Sequence, residues 1–244
     1  MRLAGRWALV TGAARRVGRA IALELGARGA HVVVHHHTST AEAAATVAEL
    51  ERRGVRALAL AADLARSEAV AALAAEAEAR TGGIAVLVNS ASNYLRTPFD
   101  GLTEAAWDAS LDVNLKAPFL LAWHLGRAMR ARGEGAIVNV ADWAGERPYP
   151  HYLPYCVSKG GLVSLTRGLA RELAPSVRVN AVAPGPVLLP EDFGPEQAEA
   201  VRRATPLGRI GCPDDVARCV RFLVEEAVFS TGALVHVDGG RGIV

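Results

Sequence analysis

The sequence predicts an α/β fold in which a single doubly wound parallel sheet of about seven strands carries helices on both faces. Two observations predict it. Short apolar runs alternate with longer segments rich in Ala, Leu and Arg along the whole chain, and such alternation gives parallel strands joined by right-handed crossovers. Most of the apolar runs are continuous rather than alternating, as is typical of strands covered on both faces. We therefore expect a Rossmann-type sheet.

The predicted elements follow one another in a regular order. Strand candidates are the apolar runs at residues 7–10, 31–35, 55–61, 84–88, 136–140, 178–182 and 234–237. Helices are predicted between them at residues 16–28, 40–53, 67–80, 104–132, 152–173 and 214–225. Gly29 and Gly54 end the first two helices, since Gly after a helix is a C-terminal stop signal. Residues 184–206, rich in Pro and Gly near their start, follow a strand at the ligand-binding edge and are predicted to form a substrate loop.

Length and composition limit the class of protein. The 244 residues are 51% hydrophobic and 21% charged, with no composition shift or internal repeat, so residues 1–244 are expected to form one domain. A net charge of +2 with scattered basic residues argues against nucleic acid and anionic membranes as partners. No apolar stretch has the length of a membrane span, and the start of the chain lacks an apolar signal segment. An odd number of cysteines without metal-ligand spacing favours a cytoplasmic location.

A turn bearing glycines at residues 11–18 follows the first strand candidate and opens the first helix. In this context Gly12 permits the sharp turn and Gly18 allows the helix to pack closely on the strand, while the helix N-terminus faces an anion such as a pyrophosphate. The motif therefore predicts a bound dinucleotide. The candidate contacts from this turn are Gly12, Arg15, Arg16, Val17 and Gly18.

The second strand candidate ends in three histidines, the last of them His37, followed by Thr38 and Ser39. This end lacks the Asp or Glu that accepts a hydrogen bond from the ribose 2′-hydroxyl of NAD, so no carboxylate repels a 2′-phosphate. Arg15 and Arg16 can supply charge, and the hydroxyls of Thr38 and Ser39 can supply donors. The sequence therefore favours NADPH over NADH. Consecutive histidines on an extended segment point to opposite faces, so we expect no metal site there.

Further candidate cofactor contacts lie just past the third, fourth and sixth strand candidates, where open α/β sheets bind their ligands. They are Asp63, Leu64, Asn89, Ser90, Ala91, Pro184 and Gly185. Asp63 can accept a hydrogen bond from the adenine amine, and a role as a local cap is also open. The small residues after the fourth strand let a cofactor approach, and the Pro-Gly turn offers backbone groups to its nicotinamide amide.

Tyr155 and Lys159 are four residues apart, so on a helix their side chains project from one face. An ammonium near a phenol stabilises the phenolate and lowers the tyrosine pKa, as a general acid requires. Asp142 lies thirteen residues before Tyr155, at the carboxyl end of a strand candidate. A salt bridge from Asp142 to Arg147 is the structural alternative. Asn114 is a poor helix former inside a predicted helix, which indicates that it has a polar functional role.

With these motifs together, the chain resembles a short-chain dehydrogenase/reductase over essentially its whole length. The resemblance rests on the segments 11–18, 89–92, 112–114, 155–159, 184–185 and 231–240. It implies an NAD(P)H-dependent oxidoreductase in which Tyr155 transfers a proton and also contacts the cofactor, while Lys159 binds the cofactor ribose. It also implies that Asn114 holds a water linking Lys159 to solvent. Related enzymes are usually dimers or tetramers, so we expect a homo-oligomer, with a tetramer as the family pattern.

Two departures from the usual family pattern resemble the pteridine reductase subgroup. Most members carry Ser where this chain has Asp142 and Gly where it has Arg16, whereas the subgroup carries Asp and Arg. This resemblance implies that Tyr94 stacks on a pterin ring. The substrate contacts that it implies are Arg16, Ser92, Tyr94, Asp142, Tyr152 and Tyr155.

The hypothesis that results is NADPH-dependent reduction of a C=N bond in a dihydropterin or dihydrofolate-like ring, with Tyr155 as proton donor. The nearest alternative is a short-chain carbonyl reductase or alcohol dehydrogenase acting on a 3-oxoacyl, sugar or steroid-like substrate. A non-catalytic NADPH-binding regulator is a further alternative. The complete set of Asn114, Tyr155 and Lys159 disfavours the regulator, because a binding module has no need of an activated phenol.

Overall fold

The computed structural model describes residues 1–189 and 193–244. Its strands are β1 Trp7–Val10, β2 His31–His36, β3 Ala57–Ala61, β4 Ile84–Asn89, β5 Gly135–Val140, β6 Val177–Pro184 and β7 Leu234–Val237. They form a 7-stranded sheet in the order β3-β2-β1-β4-β5-β6-β7, and each neighbouring pair is parallel. The predicted doubly wound fold is confirmed. The strand order reverses between β1 and β4, which places a ligand crevice at the carboxyl edge of these strands.

Helices cover both faces of the sheet. Those in the described ranges are α1 Arg16–Ala27, α2 Thr40–Arg52, α3 Ser67–Thr81, α4 Glu104–Leu111, α5 Ala117–Arg132, α6 Leu153–Leu173, α7 Pro195–Arg203 and α8 Pro213–Glu225. Buried side chains of α1, α2 and α8 pack on one face of the sheet, and those of α3, α5 and α6 pack on the other. Within the described ranges, no helix is both long and apolar enough to span a bilayer.

The predicted long helix at 104–132 is wrong in one respect, because a π-helical turn at Asp112–Lys116 separates α4 from α5. The physical reason lies in Pro118, which has no N–H and cannot donate to the carbonyl four residues earlier, that of Asn114. At the end of the turn the Ala117 N–H reaches back to the Asp112 carbonyl. Such turns are frequent at functional sites, and this one carries Asn114 towards α6.

The predicted irregular loop at 184–206 is also wrong in part, because α7 occupies its second half. Pro195 lies in the first turn of α7, where its missing N–H costs nothing. The Gln197 side chain accepts a hydrogen bond from the Gly194 N–H at 2.6 Å, which caps the helix start. Residues 190–192 of the predicted loop lie outside the described residues.

A buried chain of hydrogen bonds connects two central strands to α6. The Asn89 amide on β4 donates to the Asn139 side chain on β5 at 2.8 Å, and Asn139 donates to the Thr166 hydroxyl on α6 at 2.9 Å. Thr166 in turn donates to the Leu162 carbonyl at 2.8 Å. This chain holds α6 in register with the strands whose carboxyl ends carry the site.

Replacing Thr166 by Val keeps the shape of the side chain and removes its hydroxyl. The Asn139 amide is then a buried donor without an acceptor, so the free energy of unfolding should fall by about 1–3 kcal/mol. Urea unfolding of the two proteins measures this difference. An unchanged unfolding midpoint would show that this chain of hydrogen bonds does not stabilise the packing of α6 on the sheet.

Candidate active site

The turn after β1 is shaped for close approach by a ligand. Gly12 has φ 65°, and a Cβ there would lie 3.0 Å from the Ala91 Cα. A Cβ on Gly18 would lie 2.3 Å from the Gly12 carbonyl oxygen. The start of α1 has no side-chain capping bond and no acidic residue in its first turn, so its first N–H groups are free to bind an anion. These observations fit the pyrophosphate of a dinucleotide.

Arg16 is held in an unusual backbone conformation within this turn. Its φ is 54°, in the left-handed region that favours glycine and that clusters at functional sites in other residues. Its side chain is exposed, as are the side chains of Arg15 and, in the neighbouring β2–α2 loop, His37 and Thr38. Ser39 is half-buried. Their assignment to the cofactor remains a prediction, as does the substrate contact assigned to Arg16.

His35 holds the turn in place, a role that sequence reasoning did not assign. The Gly12 N–H donates to its Nδ1 at 3.1 Å, so the other nitrogen, Nε2, carries the hydrogen and donates to the Ala62 carbonyl at 3.1 Å. Burial lowers the pKa of His35 from 6.5 to about 4. The neutral imidazole therefore bridges β1 and β3 above the second strand. Its position at the end of an otherwise apolar strand was the available signal.

Thr11 is a second residue that sequence reasoning missed in this role. Its hydroxyl accepts hydrogen bonds from the Ser90 N–H at 2.9 Å and the Ala91 N–H at 3.0 Å. This brings the segment after β4 against the turn after β1. The side chain of Asn89 is directed into the sheet towards Asn139, so only its backbone is available to a cofactor.

The other predicted cofactor residues lie at the same edge of the sheet and differ in which of their atoms can contact a cofactor. Asp63 accepts from the Ala65 N–H at 3.0 Å within its own turn, and it does not cap α3, whose start has no side-chain capping bond. Leu64 is buried in the core cluster under α3. The Gly185 N–H after Pro184 donates to the Val237 carbonyl at 3.0 Å. Val17 packs against the core cluster beside α1. For Leu64 and Gly185, any contact with a cofactor is through the backbone.

The described residues contain no group of three or more His, Cys, Asp and Glu side chains able to hold a metal ion. Of the three consecutive histidines, His35 and His36 are buried and His37 is exposed. His35 and His36 belong to β2, whose two faces are both covered, whereas His37 follows the end of the strand.

Tyr155 and Asp142 form the central pair of the site. The Tyr155 hydroxyl donates to the Asp142 carboxyl at 2.6 Å, and the other carboxyl oxygen accepts from the Ala144 N–H at 2.8 Å. Burial raises the pKa of Asp142. Burial and the adjacent Asp142 charge raise the pKa of Tyr155 well above 10. The expected lowering of the Tyr155 pKa by Lys159 is therefore wrong for the free protein, because burial and the carboxylate prevail.

Lys159 is 3% exposed, and its ammonium lies 5.6 Å from the centre of the Tyr155 ring. It donates a hydrogen bond to the Val140 carbonyl at 2.9 Å. Burial lowers the pKa of Lys159 to about 8, a shift that the charge of Asp142 partly opposes. An ammonium has three donors, so this geometry leaves capacity for the ribose hydroxyls that were predicted to bind here.

The side chain of Asn114 is already fully engaged. It accepts from the Asn93 N–H at 2.9 Å and from the Ser92 hydroxyl at 3.1 Å. Its amide donates to the Asn93 carbonyl and the Ser158 hydroxyl at 3.1 and 3.2 Å. The side chain therefore cannot hold the predicted water. Pro118 has no N–H and cannot donate to the Asn114 main-chain carbonyl. That carbonyl is therefore the group in this turn that is suited to bind the water.

Aromatic rings cover the Tyr155 hydroxyl. The Tyr94 ring stacks on Tyr152 at 4.3 Å and 11° and meets Tyr155 edge-on at 4.8 Å. The hydroxyl of Tyr149, which sequence reasoning missed, donates to the Tyr94 hydroxyl at 3.2 Å. Arg147 reaches the Gly242 carbonyl rather than Asp142, so the alternative salt bridge is not formed. The site presents flat faces around one buried phenol–carboxyl pair.

His35 gives a test of the turn through the dependence of stability on pH. The folded protein keeps His35 neutral down to pH about 4, while the unfolded chain binds a proton near pH 6.5. Stability should therefore fall as the pH drops through this window, by up to about 3 kcal/mol from this residue. His35→Asn keeps an acceptor for Gly12 and has no titrating group, so urea unfolding should show a smaller loss between pH 7 and 4. Equal losses in both proteins would contradict the buried neutral imidazole.

Known proteins resemble this chain over almost its whole length. Residues 12–241 match a family model described as enoyl-(acyl carrier protein) reductase. The chain is 36% identical over 237 residues to the 3-oxoacyl-[acyl-carrier-protein] reductase FabG of Staphylococcus aureus, with 96% of each chain covered. It is 35% identical over 249 residues to 3beta-hydroxysteroid dehydrogenase 1 of Eggerthella lenta, with 98% of this chain and 94% of that protein covered.

A solved structure gives the same result for the fold. A blue fluorescent protein from a metagenomic library, crystallised in complex with NADPH, superposes with a TM-score of 0.91 at 34% identity, and 99% of each chain is covered. The match to the family model, at residues 12–241, begins in the turn after β1 and continues past the end of β7. Tyr155 and Lys159 lie within this range. The chain belongs to the short-chain dehydrogenase/reductase family.

Proposed function

We propose that the protein is an NADPH-dependent reductase of a carbonyl group on a 3-oxoacyl, steroid-like or sugar-like substrate. The observation that carries the proposal is the buried Tyr155, whose ring centre lies 5.6 Å from the Lys159 ammonium. The chain is also 35–36% identical to a 3-oxoacyl reductase and a hydroxysteroid dehydrogenase. The name of the first relative gives a carbonyl group as the group that reacts, and the name of the second gives a hydroxyl group. The comparisons therefore support the carbonyl alternative better than the pterin hypothesis raised from the sequence.

NADPH is the cofactor that the site and the comparisons support together. The free α1 N-terminus and the close-packed turn at Gly12 and Gly18 fit a pyrophosphate. The end of β2 offers no carboxylate to a ribose 2′-hydroxyl, and the structural relative described above holds NADPH. When bound, NADPH supplies the hydride that reduces the substrate carbon.

The residues of the chain supply the proton and the charge balance. Tyr155 gives its hydroxyl proton to the carbonyl oxygen as that carbon is reduced, which yields an alcohol. Lys159 holds the ribose through its free donors and its positive charge offsets the phenolate that forms. Asp142, hydrogen-bonded to Tyr155 at 2.6 Å, is placed to return a proton to the phenolate when its carboxyl is protonated.

Asp142 sets a condition on carbonyl reduction. An ionised carboxylate beside a developing alkoxide opposes the negative charge, whereas a neutral carboxyl can donate to it. Burial raises the pKa of Asp142, while the hydrogen bonds that it accepts from Tyr155 and Ala144 and the charge of Lys159 oppose that shift. Carbonyl turnover should therefore decline as the pH rises through the Asp142 pKa.

A second candidate function is reduction of a C=N bond in a dihydropterin, and two observations favour it. An ionised Asp142 can accept hydrogen bonds from ring N–H and amino groups, which a pterin has and a simple ketone lacks. The rings of Tyr94 and Tyr152 stack on each other at 4.3 Å. A planar substrate ring that displaced one of them would stack on the other in the same way. The assignment to the pteridine reductase subgroup belongs to this candidate.

Substitution of Asp142 separates the two candidates. Asp142→Ser supplies a hydroxyl that donates to a carbonyl oxygen without first needing a proton, so it should keep or raise turnover of 3-oxoacyl thioesters and ketones. A pterin reductase should instead lose about 100-fold in kcat with a dihydropterin. NADPH oxidation by wild type, Asp142→Ser and Asp142→Asn measures both substrate classes. Carbonyl turnover lost in Asp142→Ser would contradict the proposal.

Tyr155→Phe separates an enzyme from a regulator that only binds NADPH. The substitution removes the proton donor and keeps the ring, so kcat should fall about 10²–10⁴-fold. NADPH affinity should stay within about twofold, because Lys159 and the turn after β1 are untouched. Steady-state turnover and NADPH titration give the two values. A variant with full turnover would remove Tyr155 from the reaction.

Oligomeric state and location are part of the proposal. We propose a homo-oligomer, a dimer or a tetramer, on the pattern of the family. Cys156, Cys212 and Cys219 are free thiols in the structure, in keeping with the cytoplasmic location predicted from their odd number. Sedimentation of the purified protein decides the oligomeric state.

A further inference from the structure

The helix α7 packs only lightly along its length. None of its 9 residues, all of which lie in the described range, is buried. A helix without a buried face gains little stability from packing and opens at low free energy. The hydrogen bond between Gln197 and Gly194 at its start joins neighbouring residues, so it does not fix α7 on another element.

The end of α7, in contrast, packs on the turn that follows β7. Thr205, two residues past α7, is 3% exposed, and a Cβ on Gly239 would lie 2.7 Å from its Cγ2 methyl. The Leu207 N–H donates to the Gly239 carbonyl at 3.0 Å. Gly239 has φ 63°, so a glycine here permits both the turn and the close approach. The C-terminal end of α7 is therefore joined to the sheet through this turn.

The turn after β7 also presents Arg241 to the end of α7. The Asp238 carboxyl accepts hydrogen bonds from the Gly240 N–H at 2.9 Å and the Gly242 N–H at 2.7 Å, which shapes the backbone around Arg241. The Arg241 guanidinium donates to the Ala204 carbonyl at 2.9 Å. Ala204 directly follows the last residue of α7. A cation at this place satisfies a free carbonyl and meets the negative end of the helix dipole.

The same guanidinium contacts the turn after β5. Its central carbon lies 5.6 Å from the centre of the Trp143 ring, which is a cation–π distance. Trp143 directly follows Asp142, and its ring centre lies 5.4 Å from that of Tyr149. The Tyr149 hydroxyl in turn donates to the Tyr94 hydroxyl. One side chain thus joins α7 to the aromatic residues around Tyr155.

Two further contacts fasten the turn after β5 to the C-terminal residues. His236 lies 2.9 Å from the Glu146 carboxyl, and Arg147 donates to the Gly242 carbonyl at 3.5 Å. Neither pair forms a hydrogen bond to α7 within the described part of the chain. Arg241 is therefore the side chain of this group that connects the turn after β5 with α7.

We propose that Arg241 is a positioning residue that sets where α7 lies relative to the Asp142–Tyr155 pair. The proposal rests on the proposed function and on the predicted place of α7 beside the substrate. A planar guanidinium suits this role because its face can lie on the Trp143 ring while one N–H donates to Ala204. Without the anchor, only a fraction of the molecules hold α7 in place, and the apparent affinity for the substrate falls by that fraction.

Hydrogen exchange of the protein without substrate tests the anchor itself. Arg241→Met keeps the length of the side chain and removes its charge and its donors. The backbone amides of α7 should exchange about tenfold faster in this variant, because a charge-assisted hydrogen bond and a cation–π contact no longer oppose opening. The amides of β5 and β6 should exchange as in the wild type. Arg147→Met is the matched control: it removes a guanidinium from the same region and should leave the exchange of α7 unchanged.

Steady-state kinetics test the consequence for the substrate. With a ketone or 3-oxoacyl thioester that the wild type reduces, Arg241→Met should raise KM about tenfold and change kcat by less than about twofold. The two constants separate because substrate binding restores the position of α7 before the chemical step. Arg241→Lys, which keeps the charge and a donor for Ala204, should recover part of the increase in KM.

A double-mutant cycle tests the link to Trp143. Trp143→Leu removes the ring beneath the guanidinium and should speed the exchange of α7, whereas Trp143→Phe keeps an aromatic face and should have a smaller effect. Because the two side chains act through one contact, the effects of Arg241→Met and Trp143→Leu should not add. Fully additive effects would overturn the link between α7 and the turn after β5.

Three results would overturn the inference as a whole. Unchanged exchange of α7 in Arg241→Met would show that Arg241 does not anchor this helix. Faster exchange throughout the sheet, with a lower melting temperature, would show that Arg241 only stabilises the fold. A lower kcat at unchanged KM would place Arg241 in the chemical step. If Arg241→Met fails to fold, Arg241→Gln takes its place. Because exchange is measured without substrate, a failure of the carbonyl assignment leaves that result intact.

Discussion

The close packing of α6 against the turn that follows β5 determines the geometry of the active site. A Cβ on Gly145 would lie 2.9 Å from the Lys159 carbonyl carbon, and one on Gly160 would lie 2.9 Å from the Gly145 oxygen. Two glycines therefore let backbone meet backbone where a side chain would separate them. This contact brings Tyr155 of α6 within 2.6 Å of Asp142, and Lys159 to the carbonyl at the end of β5. The candidate catalytic groups come from different elements, and this contact makes them neighbours.

Burial at that contact also decides the protonation of the group. Tyr155 and Asp142 share one short hydrogen bond in a place where water is excluded, so burial raises the pKa of both. Lys159 responds in the opposite direction, with its pKa lowered to about 8. The two candidate functions differ in the protonation of Asp142. A neutral carboxyl suits reduction of a C=O bond, and an ionised carboxylate suits reduction of the C=N bond of a pterin.

The sheet could be predicted from the sequence because its strands are buried on both faces, which leaves a continuous apolar run at each one. The break at Asn114 could not, since it depends on the missing N–H of Pro118 within a strong helical pattern. Tyr155, Lys159 and Asp142 could be predicted as neighbours from spacing and strand ends. The inward direction of Asn89 and the bridging role of His35 could not, because each depends on a partner far away in the chain. The direction of the Tyr155 pKa was likewise set by burial, which spacing does not reveal.

The phenol–carboxyl pair is proposed to supply the proton while NADPH supplies the hydride that reduces a carbonyl carbon. The most direct measurement is NADPH oxidation by the wild-type protein with a panel of 3-oxoacyl thioesters, ketosteroids and sugar ketones beside dihydropterins and dihydrofolate. We expect turnover on the carbonyl side, with a rate that declines as the pH rises through the Asp142 pKa. Turnover confined to the dihydropterins would contradict it and would show that Asp142 acts as an acceptor for ring N–H groups.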